Sequence, residues 1–406
     1  MLRPTSPATV VLLAALTALG PLATDMYLPA MPAMAAALDA GPDQVQLTLS
    51  LYMAGFALAQ LICGPLADRF GRKPVLIGGL ALFLATSMLC ALAQSIEALL
   101  LGRFLQALGG SVGPVLGRAM VRDIHGPTEA GRILSYMAIA MAVAPAVAPV
   151  AGAGLLVVFG WPAVFWLLAG YTLLILALIA GQLPETLAPT QRRSIQPLAL
   201  LATFRMLLGE RRFVGYTLTN AAVFSGLFAF LSGSSFVLVD FMGLKPTDYG
   251  LLFTLVVLGF VSGSLISGRY SHRLGRERLL ALGTLACALG GGSMAALSLA
   301  GVFAPWAVVA PQVLFVAGFG IVMPQSMSGA LAPHPECAGS ASSLFGFLQM
   351  SIAALAGALV GRLHDGTSHS MAIAIGLAGL VAVISYWGLV RRAGTQRRPA
   401  PAPLAK

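Results

Sequence analysis

Two charged side chains stand where so apolar a chain would be expected to carry none. Asp25 is the only charged residue between Pro4 and Leu38, and Arg103 the only one between Ala98 and Gly117. An ionic group inside an apolar span costs at least a few kcal/mol if it faces lipid, so its default place is an interior cavity. A carboxyl that alternates between wet and dry surroundings exchanges its proton, and a guanidinium nearby biases that exchange. At about 1.5 Å per residue, Arg103 lies roughly 9 Å along its helix from Glu97 and Asp25 roughly 16 Å from Ala36. Both therefore occupy the same outer-to-middle depth and can share one cavity, directly or through water. Asp25 is the only deep carboxylate, which makes Asp25 and Arg103 the candidate proton-coupling pair; the alternative is a static buried ion pair. Gln106 lies one turn further along the face of Arg103.

Around this pair the spans carry few polar side chains. Gln60, Gln106, Asn220, Gln325 and Gln349, with Met26, Tyr27, Phe56 and Phe224, are the candidate substrate cavity. Sparse polar groups among adaptable apolar ones suit an amphiphilic, drug-like ligand. A sugar carrier would need more Asn, Gln and Trp, and an organic-phosphate exchanger would need two deep cations.

The elements that must position these residues follow from composition. Hydrophobic residues make up 58% of the 406 and the mean hydropathy is +0.88, outside the range of a soluble domain. Twelve apolar runs, each long enough to cross about 30 Å of hydrocarbon as a helix, fall near 9–36, 45–66, 74–94, 97–118, 132–158, 162–182, 213–240, 248–269, 278–300, 304–331, 338–361 and 370–390. The first resembles a secretory signal in its opening residues, but its apolar stretch resumes through Met31 and eleven more follow, so it is expected to be retained. With both termini cytoplasmic, all but three of the 24 Lys and Arg residues lie on the inner side, the exceptions being Arg103, Lys245 and Arg362. The net charge of +10 thus reads as topology and attraction to anionic membrane lipid, with no nucleic-acid partner. The four cysteines have no paired spacing and read as free thiols, and all five histidines fall in expected loops, so no metal site is expected. No G-x-x-x-x-G-K-[ST] loop is present, which excludes an ATP-driven pump.

The densest charge is in "CGPLADRFGRKPVLIGG", residues 63–79, between the second and third spans. Shifted by 204 residues, "GPLADRFGRK" falls on "GRYSHRLGRE" without a gap, matching Gly64, Arg69, Gly71 and Arg72 to Gly268, Arg273, Gly275 and Arg276. The chain thus divides into six-span halves at 1–182 and 213–391, a cytoplasmic linker loop at 183–212 and a disordered basic tail at 392–406. Gly64 permits close helix approach, Asp68 can face the positive N-terminus of span eleven near 335–340, and Arg72 can pair with Asp123. Together these make a latch, present only when the inner side is closed, while Arg69 and Lys73 also serve the positive-inside rule. The second copy has His272 and Glu277 in place of Asp68 and Lys73, which leaves its latch chemistry different. Gly109, Gly113 and Gly117, and Gly259, Gly263 and Ser267, form small-residue stripes for close packing.

The first copy resembles the major facilitator signature loop G-x-x-x-D-R-x-G-R-[KR]. "ATDMYLPAMP" (23–32), "GRFLQALGGSVG" (102–113), "RAMVRDIHG" (118–126), "LAPHPECAGSASSLFGFLQ" (331–349) and "LHDGT" (363–367) are similar to the Bcr/CflA branch of drug:proton antiporters. The resemblance implies an all-α integral membrane protein with twelve transmembrane helices in two pseudo-symmetric six-helix bundles. It further implies conformational switching at residues 64–73, with Gly64, Asp68, Arg69, Gly71 and Arg72, and proton coupling by Asp25 and Arg103. "AVAPAVAPVAGAG" in span five resembles the antiporter motif G-P-x-x-G-G through Pro149 and Gly152, with Pro145 one turn earlier and with Ala148 and Ala153 in place of glycines. The function so implied is secondary active multidrug efflux in exchange for protons, by a monomer of the bacterial inner membrane that needs no cofactor beyond the proton gradient. A proton-coupled exporter of an amino acid or short peptide is the alternative, and a membrane-embedded enzyme is disfavoured because no nucleophile, base and metal set lies within the spans.

Overall fold

The computed structural model describes residues 7–188, 190 and 197–391, so the basic tail read at 392–406 lies outside it. Every regular element among these residues is helical. In chain order they are α1 (Pro7–Asp25), a 3₁₀ turn (Leu28–Ala30), α2 (Met31–Ala37), α3 (Pro42–Phe70), α4 (Arg72–Ala91), α5 (Ile96–Gly110), α6 (Val112–Phe159) and α7 (Pro162–Gln182). Then come α8 (Pro197–Gly209), α9 (Arg211–Ser235), α10 (Pro246–Leu299), α11 (Pro305–Leu331), α12 (Ala338–Arg362) and α13 (His369–Ser385).

Ten helices are long and apolar enough to cross a bilayer. One of them, α10, carries spans eight and nine on either side of Gly275, whose φ of 73° turns the chain; span five lies in the shorter apolar stretch Val143–Phe159. Gly71 makes the matching turn between α3 and α4 with φ 104°. A side chain rarely adopts such a φ, so the repeat keeps glycine at both positions for the same reason.

Three features depart from the expected spans. Span one is broken: α1 stops at Asp25, and the chain re-enters a helix only after Met26, Tyr27 and the 3₁₀ turn. Pro29 and Pro32, which lack N–H donors, sit at the starts of the two following elements. The loop expected at 119–131 is helical backbone within α6. The linker read as a loop at 183–212 contains α8, whose sequence "PLALLATFRMLLG" is apolar enough to lie along the protein and packs on α9 and α12. His125 falls in α6, and His369 opens α13.

Within the first half α1 packs on α6, α3 on α5, and α4 on α5 and α7; within the second, α10 packs on α11 and α13, and α9 on α11, α12 and α13. The halves meet along two seams, α3 with α12 and α6 with α10. The small-residue stripes supply close contacts: a Cβ on Gly109 would lie 2.7 Å from the Phe83 nitrogen, and one on Gly113 2.6 Å from the Leu16 carbonyl oxygen. A Cβ on Gly259 would lie 2.6 Å from the Val313 oxygen.

One face of the bundle carries Arg72, Arg276 and Arg391 at its helix ends and is here called the basic face; on the opposite face the seams are shut. There Ser232 Oγ on α9 donates to Gln46 Oε1 on α3 at 3.0 Å and to the Gly357 carbonyl at 3.3 Å. A Cβ on Gly361 would meet the Gln46 side chain at 3.2 Å, and one on Gly357 would meet Ser50 at 2.9 Å. Thr254 on α10 donates to the Ala146 carbonyl at 3.1 Å. Toward the basic face, Gly64 on α3 and Gly339 on α12 have no atom within 4 Å of the place a Cβ would take. The bundle is thus closed opposite the basic face.

Candidate functional site

The break in span one creates the site. Thr24 Oγ1 folds back onto the Gly20 and Pro21 carbonyls at 3.2 and 3.1 Å, and Asp25, 5% exposed, ends the helix. Gly152 of span five sits directly against the Met26 carbonyl: a Cβ there would fall 2.7 Å from the Met26 carbonyl carbon and 3.2 Å from its Cα. The helix-five motif therefore has a local use, since only glycine lets α6 lie on the broken backbone. Pro149 on the same leg packs at the seam, its carbonyl oxygen 3.2 Å from where a Gly250 Cβ would be. Pro145 is half-buried one turn away.

Arg103, on α5, has no exposed surface. Ser95 caps that helix by accepting from the Ala98 N–H at 3.3 Å, and Glu97 in the first turn favours the same end. The guanidinium carbon stands 4.3 Å from the ring centre of Tyr27 and 4.3 Å from that of Tyr52, with Phe165 at 5.9 Å. Nη1 donates to Gln106 Oε1 at 2.6 Å, and Gln106 Nε2 donates onward to Ser87 Oγ at 2.8 Å. Nε and Nη2 have no hydrogen-bond partner.

Asp25 and Arg103 do not form an ion pair here, since no carboxylate oxygen lies within 4.0 Å of the guanidinium. The positive charge is held instead by two ring faces, whose quadrupoles attract a cation in a dry site. Asp25 and Arg103 nonetheless both act electrostatically on Tyr27 and Tyr52, so the four groups form one neighbourhood. Tyr27 is fixed by its hydroxyl, 3.3 Å from Thr48 Oγ1, whereas the Tyr52 hydroxyl has no partner. Met26 and Phe56 are buried beside the break, with Phe56 3.8 Å from the place of a Gly20 Cβ.

The remaining cavity candidates divide between the halves. Gln60 abuts Gly346 across the seam from α3 to α12, and its Oε1 is unpartnered. In the second half Asn220 Nδ2 donates to Gln349 Oε1 at 2.7 Å, Gln325 donates to Ser267 Oγ at 2.9 Å, and Phe224 stacks on Phe228 at 6.4 Å and meets the Phe319 ring at a tilt, 5.8 Å away. Thus Asp25, Met26, Tyr27, Arg103 and Gln106 gather around one centre, while Asn220, Phe224, Gln325 and Gln349 form a separate wall. Sequence reasoning missed Tyr52, Ser87 and Thr48; a hydroxyl-tipped ring within the apolar run 45–66 was the available signal for Tyr52.

Asp68 pairs with Arg72 at 2.6 Å within the first half, not with the start of α12, and Arg72 Nε also reaches Asp123 at 3.3 Å. Glu185 completes this cluster, accepting from the backbone N–H groups of Arg72 and Lys73 at 3.0 and 3.2 Å. Arg69 lies over the Phe70 ring at 5.2 Å. Among the described residues no group of metal-ligating side chains is found, and none of the four cysteines forms a disulfide.

The sequence model of the Major Facilitator Superfamily matches residues 13–358. The chain belongs to that superfamily. Its relatives include an uncharacterized MFS-type transporter, YdgK, of Bacillus subtilis, 33% identical over 94% of both chains. The bicyclomycin resistance protein homolog of Haemophilus influenzae is 29% identical over 93% of this chain and 94% of the relative, and the multidrug resistance protein D of Escherichia coli is 28% identical over 96% and 97%. Within the superfamily this transporter is therefore of the Bcr/CflA drug-transporter type. Its fold matches that of a D-xylose-proton symporter with a TM-score of 0.74 at 14% identity over 95% and 98% of the two chains. A bacterial homologue of the human lysosomal transporter Spinster, in an inward-facing unoccupied conformation, matches with a TM-score of 0.73 at 16% identity over 97% and 98%. A multi-pass membrane transporter rather than an enzyme is the assignment that follows.

Proposed function

We propose that this transporter exports amphiphilic, drug-like molecules across the bacterial inner membrane in exchange for protons, as a monomer with both termini and the basic face in the cytoplasm. Asp25 carries the proton and Arg103 biases its release. The observation that carries this reading is the buried Arg103 guanidinium, held between Tyr27 and Tyr52 beside a carboxyl with which it forms no ion pair. In the state closed opposite the basic face, Asp25 is dry and the neutral acid avoids the cost of an unpaired buried anion. When water or drug reaches Asp25 from the basic side, the ionised carboxylate becomes affordable, the Arg103 charge favours it further and the proton leaves on that side, to be regained when the opposite seams part. Drug and proton then compete through one neighbourhood, so each weakens the binding of the other by the same factor. The names of the drug-resistance relatives support drugs as the cargo.

The unpartnered Nε and Nη2 edge of Arg103 favours a second reading, export of a small carboxylate-bearing metabolite, because that edge matches a carboxylate in geometry. The test is an efflux panel of cationic and neutral drugs, dyes, amino acids and short peptides in cells lacking their own exporters, with and without a protonophore. Drug efflux that collapses with the protonophore is expected. Efflux indifferent to the protonophore refutes proton exchange, and export confined to carboxylate-bearing metabolites replaces the first reading with the second.

A further inference from the structure

The helix between the two halves, α8, belongs to none of the twelve spans and is as apolar as they are. Its 13 residues, "PLALLATFRMLLG", carry one charge, Arg205, and one other polar side chain, Thr203. Such a helix reaches about 20 Å, too short for roughly 30 Å of hydrocarbon, and apolar helices of this length lie in a protein core or in the interfacial layer. Core packing accounts for only one side of it. At about 3.6 residues per turn, Leu200, Thr203, Phe204 and Leu207 share the shielded side, and the helix packs on α9 and α12. The other side is one continuous exposed face, where Leu198, Leu201, Met206 and Leu208 are 49–83% exposed and Arg205 is the only charge. A helix in water turns polar side chains outward; this one turns out a face as apolar as the one it packs.

Two contacts fix the height at which α8 ends. Glu210, the next residue, pairs with His334 just before α12, and Arg211 Nη2 donates to the Gly388 carbonyl, beyond the end of α13, at 2.8 Å. Beside Gly388, the Trp387 ring is 44% exposed and has Arg391 over it at 4.1 Å, the pairing of ring and cation that marks the headgroup level. Further into the bundle on the same element, Ile384 and Leu380 are 60% and 52% exposed, a lipid-facing surface. The end of α8 therefore lies at the boundary between headgroups and acyl chains. Arg192 and Arg193 precede the helix in sequence; with Arg205, whose long stem can carry its charge out of an apolar face, they match the charge of an anionic leaflet.

We propose that α8 lies in the plane of the membrane, with Leu198, Leu201, Met206 and Leu208 seated in the leaflet on the basic side, as a lipid anchor of the second half. Its composition suits that place, since an in-plane helix buries its apolar face at the headgroup boundary. A second copy of the chain is the poorer occupant: half the surface of a helix about 20 Å long and 10 Å wide is on the order of 300 Å², well below the roughly 800 Å² per partner of a stable interface. The tail at 392–406 is poorer still, with Leu404 its one large apolar side chain.

The test is spin labelling of the full-length transporter at Leu201→Cys or Leu208→Cys in a Cys337→Ala background, the other three native cysteines being buried and the background signal subtracted. The protein is reconstituted in vesicles of phosphatidylethanolamine and phosphatidylglycerol, and the labels are relaxed with oxygen, which concentrates in hydrocarbon, and with a nickel chelate, which stays in water. Leu285→Cys, on the exposed face of α10, sets the lipid value, and Asp43→Cys, exposed at the opposite end, sets the water value. The oxygen-to-nickel ratio at Leu201 and Leu208 should lie several-fold above the Asp43 value, toward that of Leu285. Adding Leu198→Gln and Met206→Gln should move the Leu208 ratio several-fold toward the water value while an unchanged Leu285 ratio reports an intact bundle. Water-like ratios at both positions, or a Leu208 ratio indifferent to the two Gln substitutions, would overturn the seat in lipid. Labels shielded from both reagents would show that protein covers the face and would overturn lipid as its occupant.

Discussion

Replacing Tyr52 tests whether ring faces hold the Arg103 charge. The ring centre lies 4.3 Å from the guanidinium carbon in a site without exposed surface, where a cation–π contact is worth about 2 kcal/mol. Its hydroxyl makes no hydrogen bond, so Tyr52→Phe keeps the interaction and should export drug at near the wild-type rate. Tyr52→Leu removes the ring face and should lower the ratio of transporter with Arg103 in place to transporter with it displaced by about 30-fold, the Boltzmann equivalent of about 2 kcal/mol, with a matching loss of efflux where that ratio becomes limiting. Tyr27 differs, because its hydroxyl contacts Thr48 at 3.3 Å; Tyr27→Phe should therefore cost about 1 kcal/mol. Initial rates of dye efflux, normalised to transporter quantified in the membrane, give the comparison, and thermal unfolding of the purified variants separates loss of fold from loss of function. Well-folded Tyr52→Leu with the activity of Tyr52→Phe would refute the clamp and leave Tyr52 as packing alone.

Asp25→Asn imitates a permanently protonated carboxyl; binding of cationic drug, which in wild type should tighten as pH rises, should become weak and nearly independent of pH in proteoliposomes, and robust uphill transport would place the proton elsewhere. Arg103→Ala should lose more transport than Arg103→Lys, which retains the charge without the planar fork; equal loss in both, at equal expression, would make the role geometric. Gly152→Val forces a side chain into the Met26 carbonyl and should cut transport by about 100-fold through displacement of the site by roughly 1 Å, whereas Gly154→Val, where nothing lies within 4 Å, should be silent in the same efflux assay. Asp68→Asn breaks a half-exposed pair with Arg72 and should cost under about 1 kcal/mol of stability while shifting the population toward opening on the basic face; unchanged inter-half distances by double electron spin labelling would sink that reading.

The fold was legible because charge-free runs, a gapless repeat and the lysine and arginine distribution each constrain it independently. Gly71 and Gly275 stood out in the repeat, and their positive φ values supply the physical cause. The break at Asp25 was not legible: "TDMYLPAMP" stays mostly apolar across it, and the close approach of the α6 backbone at Gly152 to Met26 is a tertiary contact. The site was half legible. A lone charge in an apolar run marks Asp25 and Arg103 without any structure, but whether they pair depends on side-chain packing, and the preference of Arg103 for two rings required knowing that α1, α3 and α5 converge. α8 was missed because its short apolar run sits among prolines and charges that read as loop.

The two ends of the inter-half seams are built from different physics. Opposite the basic face, closure rests on Gly357, Gly361 and Gly250 pressed against neighbours and on neutral hydrogen bonds such as Ser232 to Gln46. The charge cluster of Asp68, Arg72, Asp123 and Glu185 lies on the basic side, and the Asp365–His369 pair on the opposite side spans no seam. Dissolved salt screens charge and leaves packed glycines untouched, so ionic strength acts as a one-sided handle on the transport cycle. Cooling weakens apolar contact instead and pulls on the other gate. Salt on the basic side thereby retunes the dwell time of one conformation without altering the strength of the opposite seal.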